Sequence, residues 1–171
     1  MFWPVVVLGG LVGLGVVLWA VGAMLPVHQN LRRQITLKRS PEEVFAVLDD
    51  LDRMPSWNTS VTKVERLPDE NGKEVTRQTM NGHVVMTVIT AERVPPSRLV
   101  RRTRDEGDHF EGAWIYDIAA QPGGCRVVLT EDSDVKSAMF RVMSRIFGQT
   151  KYMDQHLIDL GRRFGETVDV R

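Results

Sequence analysis

Hydrophobic positions run unbroken at the start of this chain, alternate through its middle and recur every three or four residues near its end. The first regime covers Phe2 to Val27, where no side chain is charged and Val, Leu, Gly, Ala and Trp dominate. A run of that length matches the roughly 20 apolar residues that a helix needs to cross a bilayer. From Leu31 to Lys38 the pattern alternates, with Ile35 and Leu37 against Thr36 and Lys38, which predicts a strand. Ser40-Pro41-Glu42-Glu43 then reads as a helix start. Ser40 suits the N-cap, Pro41 the first helical position and Glu43 the reciprocal position of a capping box. Val44, Val47, Leu48 and Leu51 continue that helix on one face, and Pro55 interrupts it.

Between Val61 and Asp134 the chain reads as strands divided by turns. The turns are Asn71-Gly72, Asn81-Gly82, Pro95-Pro96-Ser97, Glu106-Gly107-Asp108 and Pro122-Gly123-Gly124. They imply six consecutive strands, joined by hairpins and therefore antiparallel, because no helical pattern lies between them. Phe110, Gly112, Trp114, Tyr116 and Ile118 share one face of the fifth of these. The last regime has Met139, Met143, Ile146, Thr150, Met153, Leu157, Leu160 and Phe164 spaced alternately four and three apart. That stripe predicts one amphipathic helix from about Ser137 to Glu166, roughly 45 Å long.

Composition narrows the picture. The apolar segment divides the chain into a membrane anchor at 1–27, one folded domain at 28–166 and a short C-terminal tail at 167–171. Twelve Val or Leu between Val5 and Leu25 outweigh five Gly, so insertion into a bilayer is expected. A cleaved signal peptide is the alternative. It needs a basic leading segment and a shorter core, and this sequence has neither, although the small residues near Ala20 to Ala23 would suit cleavage. Arg32, Arg33, Lys38 and Arg39 follow the apolar run, which places the folded domain on the cytoplasmic side of the cell membrane as a single-pass protein. Gly9 and Gly13 stand in a G-x-x-x-G pair, a spacing that lets two helices approach closely.

Charge is balanced at 22 basic against 22 acidic residues, so nothing favours a nucleic-acid partner. Cys125 is the one cysteine; it excludes an internal disulfide, and no neighbour activates it. His28, His83, His109 and His156 are scattered without metal-ligand spacing, so neither metal nor cofactor is expected. Among the histidines, His83 and His109 are the acid–base candidates, each beside a turn. Arg101, Arg102 and Arg104 form a basic cluster that suits phospholipid head groups, although a solvated strand edge is the expected place.

The motifs in their order resemble those of the START-like superfamily, which includes polyketide cyclases and Bet v 1-like proteins. Ser40-Pro41-Glu42-Glu43-Val44-Phe45 is similar to the start of that family's first helix. Asp52-Arg53-Met54-Pro55-Ser56-Trp57-Asn58 is similar to its D-x-x-x-P-x-W-N turn. Phe110-Glu111-Gly112-Ala113-Trp114 and Gly123-Gly124-Cys125-Arg126-Val127 resemble its last hairpin. The resemblance implies an α+β helix-grip fold, in which a curved antiparallel sheet of about seven strands wraps a long C-terminal helix. It also implies an apolar cavity between sheet and helix for a lipid, quinone or polyketide-like molecule. Trp57, Met80, Met86, Phe110, Trp114, Tyr116, Met139, Met143 and Phe147 are the ligand-lining candidates. Three functions stay open: a membrane-tethered binder of a hydrophobic ligand, an enzyme of the polyketide cyclase/dehydratase type, and an interaction scaffold without a ligand.

Overall fold

In the computed structural model the backbone is described for residues 3–171; within the first helix the described side chains are those of Val7 and residues 10–24. That helix, α1, spans Trp3–Met24. It leads into β1 (His28–Leu37), α2 (Pro41–Asp49) and a single 3-10 turn at Met54–Ser56. Six strands follow: β2 (Val61–Glu70), β3 (Lys73–Met80), β4 (Val84–Val94), β5 (Arg98–Asp105), β6 (Phe110–Gln121) and β7 (Gly124–Val135). Two helices, α3 (Ala138–Phe147) and α4 (Lys151–Arg163), complete the chain.

The strands form one antiparallel sheet in the order β1-β7-β6-β5-β4-β3-β2. All five turn signals fall at hairpins, so β2 to β7 meander and β1 closes beside β7. The capping box at α2 is formed in both directions, with Ser40 Oγ accepting from the Glu43 N–H and Glu43 Oε2 from the Ser40 N–H. Residues 167–171 are not a loose tail. Arg171 and Gln34 exchange backbone hydrogen bonds of 2.8 and 3.1 Å along the open edge of β1. Val168 and Val170 pack against the core, and covering a bare strand edge removes a template for aggregation.

The long C-terminal helix departs from expectation. Gly148 adopts a φ of +94°, a backbone state that glycine reaches without a Cβ clash. The helix therefore stops after Phe147 and restarts at Lys151 in a new phase. Within α4, Met153, Leu157 and Leu160 are fully buried, as the spacing requires. They meet Leu48 of α2 and Leu99, Tyr116, Val127 and Leu129 of the sheet. Within α3 the stripe fails: Met139, Met143, Ile146 and Phe147 are exposed, and Arg141 and Val142 are buried instead.

The reason is α1. Its Gly22 lies so close to α3 that a Cβ there would come within 2.1 Å of the Ala138 carbonyl oxygen. Arg141 Nε donates to Gly22 O at 2.8 Å, and its Nη1 donates to Val135 O and Lys136 O. A guanidinium on the last carbonyls of a helix suits the negative end of the helix dipole. Thus α3 is oriented by α1 rather than by the sheet alone.

Among the described residues, no helix is long and apolar enough to cross a membrane. The expected anchor falls partly outside the described residues, at Met1 and Phe2, and the surroundings of Gly9 in the G-x-x-x-G pair are likewise outside what is described.

Candidate functional site

Antiparallel neighbours in register point to the same face of a sheet. One row across the concave face is therefore Thr90, Arg101, Trp114 and Glu131, read from β4 through β7. The next row toward the open end is Val88, Thr103, Gly112 and Ser133. Beyond them lie Met86, Met80 and Val84, with Phe110 and Val135 across the sheet. α2 and α4 fill the other end of the concave face with packed side chains. At the open end the sheet stands clear of the helices and leaves a cavity of about 230 Å³. Phe140 and Ser144 of α3, with Gln149 and Tyr152, border it opposite the sheet.

Of the nine ligand-lining candidates, Met80, Met86, Phe110, Trp114 and Tyr116 face this cavity. Trp57 sits behind it in the core, its ring 5.3 Å from that of His156. Met139, Met143 and Phe147 do not line it, because the break at Gly148 and the contact with α1 turn them outward. Phe140 takes their place.

The structure adds polar residues that the sequence reading passed over. His156 is 3% exposed, and its ring lies between two partners. Asn58 Nδ2 is 2.7 Å from His156 Nδ1, and Tyr116 Oη is 3.1 Å from His156 Nε2. The Asn58 carbonyl oxygen accepts the Ser60 N–H at 2.9 Å, which turns the amide nitrogen toward His156. His156 Nδ1 is then an acceptor, so its proton sits on Nε2 and is donated to the Tyr116 oxygen. Burial first, and then the Arg101 charge, push the imidazole pKa down to about 3. His156 is neutral at physiological pH.

Asp159, fully buried on α4, holds the Asn58 loop in place. It accepts from Thr59 N at 2.8 Å, Thr59 Oγ1 at 2.6 Å, Gln155 Nε2 at 3.0 Å and Arg162 Nη1 at 2.8 Å.

Two further charged groups face the cavity. Arg101 is 3% exposed and lies on an interior strand, which corrects its expected place on a solvated edge. Its neighbours Arg102 and Arg104 do point outward. Glu131 accepts from Gln29 Nε2 at 3.2 Å and Ser133 Oγ at 3.0 Å, and burial raises its pKa. The ionised carboxylate is thus less favourable in the fold than in the unfolded chain. Its penalty is absent below the unfolded pKa and grows as pH rises through the folded value. Glu131→Gln is expected to raise the melting temperature at neutral pH and to lose that advantage near pH 4. Equal gains at both pH values in thermal unfolding scans would contradict the assignment.

His83 and His109 are not in the cavity. His83 Nδ1 lies 2.8 Å from Asn81 O within its own turn. His109 pairs with Asp105 at 2.7 Å and stacks on Phe140 outside the pocket wall. Cys125 is buried, and its thiol pKa is pushed up to about 11, chiefly by desolvation. Among the described residues, no three His, Cys, Asp or Glu side chains are grouped to hold a metal.

Each missed residue carried a signal. His156 lies three residues after Met153 and four before Leu160, on the buried face of α4. Arg101 alternates with Leu99 and Thr103, and Glu131 with Leu129 and Ser133, which gives both inward parity. Asn58 closes the tryptophan–asparagine turn.

The family model for polyketide cyclase/dehydrase and lipid transport matches residues 28–162. The chain belongs to that family. A family member in this sense need not be a cyclase, because the description spans chemistry and carriage alike. An uncharacterised protein of Mycobacterium tuberculosis is 33% identical over 103 residues. The match takes in 58% of this chain and 62% of that protein's length. Among solved structures, the Zhui aromatase/cyclase from a Streptomyces species aligns with a TM-score of 0.65 at 14% identity, over 78% of this chain and 91% of its own. A conserved protein from Geobacillus kaustophilus aligns with a TM-score of 0.66 at 14% identity, over 84% of this chain and 99% of its own. At these identities the likeness shows a shared fold, and the side chains of the cavity are this chain's own.

Proposed function

We propose that this family member binds a hydrophobic small molecule in the cavity between sheet and helices, at the surface of a membrane to which α1 tethers it. The cavity carries the reading. It is walled mainly by Met80, Val84, Met86, Val88, Phe110, Trp114 and Phe140, and polar groups such as Arg101, Glu131 and His156 also line it. Apolar enclosure with a few placed polar groups is the usual form of a small-molecule site.

The tether rests on the sequence of residues 2–27 and on exposed apolar surface. Leu11, Val12, Leu14, Val16, Val17 and Trp19 of α1 are open to their surroundings, as are Ile146 and Phe147 of α3, each 62% exposed. With α1 against α3, these surfaces adjoin, and a bilayer would cover both. The basic residues after α1 favour a cytoplasmic domain.

A second reading, cyclase-type chemistry, is favoured by the Tyr116–His156 pair within the cavity. A neutral imidazole that donates to a phenol strengthens the phenol as a donor to a substrate carbonyl.

The full chain in lipid nanodiscs, titrated with an apolar ligand, should change the fluorescence of Trp114 with saturation at one equivalent. The same ligand recovered unchanged supports carriage, and a converted product supports the cyclase reading. No saturable change would remove both. For the tether, alkaline carbonate washing of membranes should leave the full chain in the pellet; release into the supernatant would exclude a spanning helix.

A further inference from the structure

Just behind the inner end of the cavity, which Arg101 lines, lie donors that the protein does not satisfy. Arg101 Nη2 lies 3.3 Å from the Asp49 carbonyl oxygen, at the C-terminus of α2, and 4.0 Å from Asp49 Oδ1. Its Nε and Nη1 are enclosed, and among the described residues no acceptor reaches either. A guanidinium keeps its proton in proteins, so those N–H groups cannot be neutralised away. Tyr116 adds another donor. Its oxygen accepts from His156 Nε2, which leaves its own proton free to turn elsewhere. Burial holds that phenol protonated.

The remaining charged group on this wall is Glu131, and it does not answer Arg101. Trp114 stands between them in the same row, one strand from each. Glu131 takes its own hydrogen bonds from Gln29 and Ser133. Buried polar groups in native proteins are nearly always paired. Two unmet nitrogens of a permanent cation, Nε and Nη1 of Arg101, beside an idle phenol therefore describe one half of an interaction.

We propose that the ligand is an amphiphile with an anionic oxygen headgroup, a carboxylate in the simplest case, seated against Arg101 and Tyr116 with its apolar body toward Met86, Phe110 and Phe140. This rests on the ligand-binding reading above and names the chemical class of the ligand. A charge-assisted hydrogen bond in a desolvated site is stronger than a neutral one, so the headgroup sets the ligand's orientation and its selectivity.

The test compares decanoate, decanol and decylamine, which share one chain and differ in headgroup. Each is titrated into the full chain in lipid nanodiscs at mildly alkaline pH, with empty nanodiscs as the reference. Decanoate is expected to bind at least tenfold more tightly than the other two. Arg101→Met should bring decanoate to within about threefold of decanol while leaving decanol unchanged. Tyr116→Phe, a smaller change, should weaken decanoate alone and keeps the test decisive if Arg101→Met fails to fold. Equal binding of all three by the wild type overturns the headgroup assignment and leaves the cavity reading standing. Binding of none overturns both.

Discussion

Lowering the pH from 7 to 4 is expected to destabilise this protein by about 3 kcal/mol through His156 alone. The unfolded chain takes up a proton on this side chain near its ordinary pKa of 6.5, whereas the folded state refuses it down to about 3. Stability is therefore complete above the unfolded value and falls as pH drops from there toward the folded one. The cause is geometric. His156 is enclosed, its Nδ1 accepts from Asn58, and the Arg101 charge faces it, so an imidazolium would lose a hydrogen bond and gain a repulsion. Asp159 on the same helix attracts the proton, but its four donors already hold it. His156→Gln should flatten the denaturant-derived stability profile between pH 7 and pH 4 by about the same 3 kcal/mol, whatever its effect at neutral pH. Parallel profiles for wild type and variant would show that the imidazole is not held neutral.

Replacement of Asp159 should produce the second large effect. Asp159→Leu leaves the Thr59 N–H and hydroxyl, the Gln155 amide and the Arg162 guanidinium without their acceptor. Breaking one side of such a buried charged network costs about 3 to 5 kcal/mol. Arg162 and Gln155 can turn to solvent, so the low end of that range is expected, near 3 kcal/mol. The consequence reaches the cavity. Thr59 is adjacent to Asn58, which fixes the His156 tautomer, so the variant should also loosen the Asn58–His156–Tyr116 chain. Chemical denaturation measures the first effect, and the pH profile of Tyr116 absorbance in the folded variant measures the second. Asp159→Asn separates them: one amide oxygen still accepts from the Thr59 backbone, so its stability loss should be smaller. A loss within 1 kcal/mol for Asp159→Leu would mean that the loop is held by packing instead, since breaking such a network ordinarily costs more.

Most of the fold was legible because its signals are local. A capping box, five turns and the alternation from Leu31 to Lys38 depend on residues adjacent in sequence, and each appears where the sequence places it. The long C-terminal helix is the exception, because its stripe is continuous in the sequence from Met139 to Phe164. Gly148 breaks it, and the face that α3 buries is set by Gly22 and Arg141, 119 residues apart in the chain. No periodicity within α3 reports that contact.

The cavity wall was legible where it is apolar. Phe110, Trp114 and Tyr116 share one strand face in the sequence, Met80 and Met86 stand out by residue type, and the cavity they face is what the family resemblance implies. Its polar end was not. Arg101 looks like a surface residue beside Arg102 and Arg104, and the sheet order shows that β5 is interior. His156 was hidden in an apolar stripe whose other members are ordinary core. In both cases a charged or polar residue at an inward position was the informative feature, since burial of such a group without a partner is rare.

A hydrophobic small molecule held in the cavity would add its mass to the protein. Native mass spectrometry of the full chain, released directly from nanodiscs, tests this against a variant in which Met86→Trp fills the space. The expected result is an added mass at one equivalent on the wild type, absent from a folded Met86→Trp protein. Wild-type and variant spectra that both show the bare chain, or the same adduct on both, would contradict it.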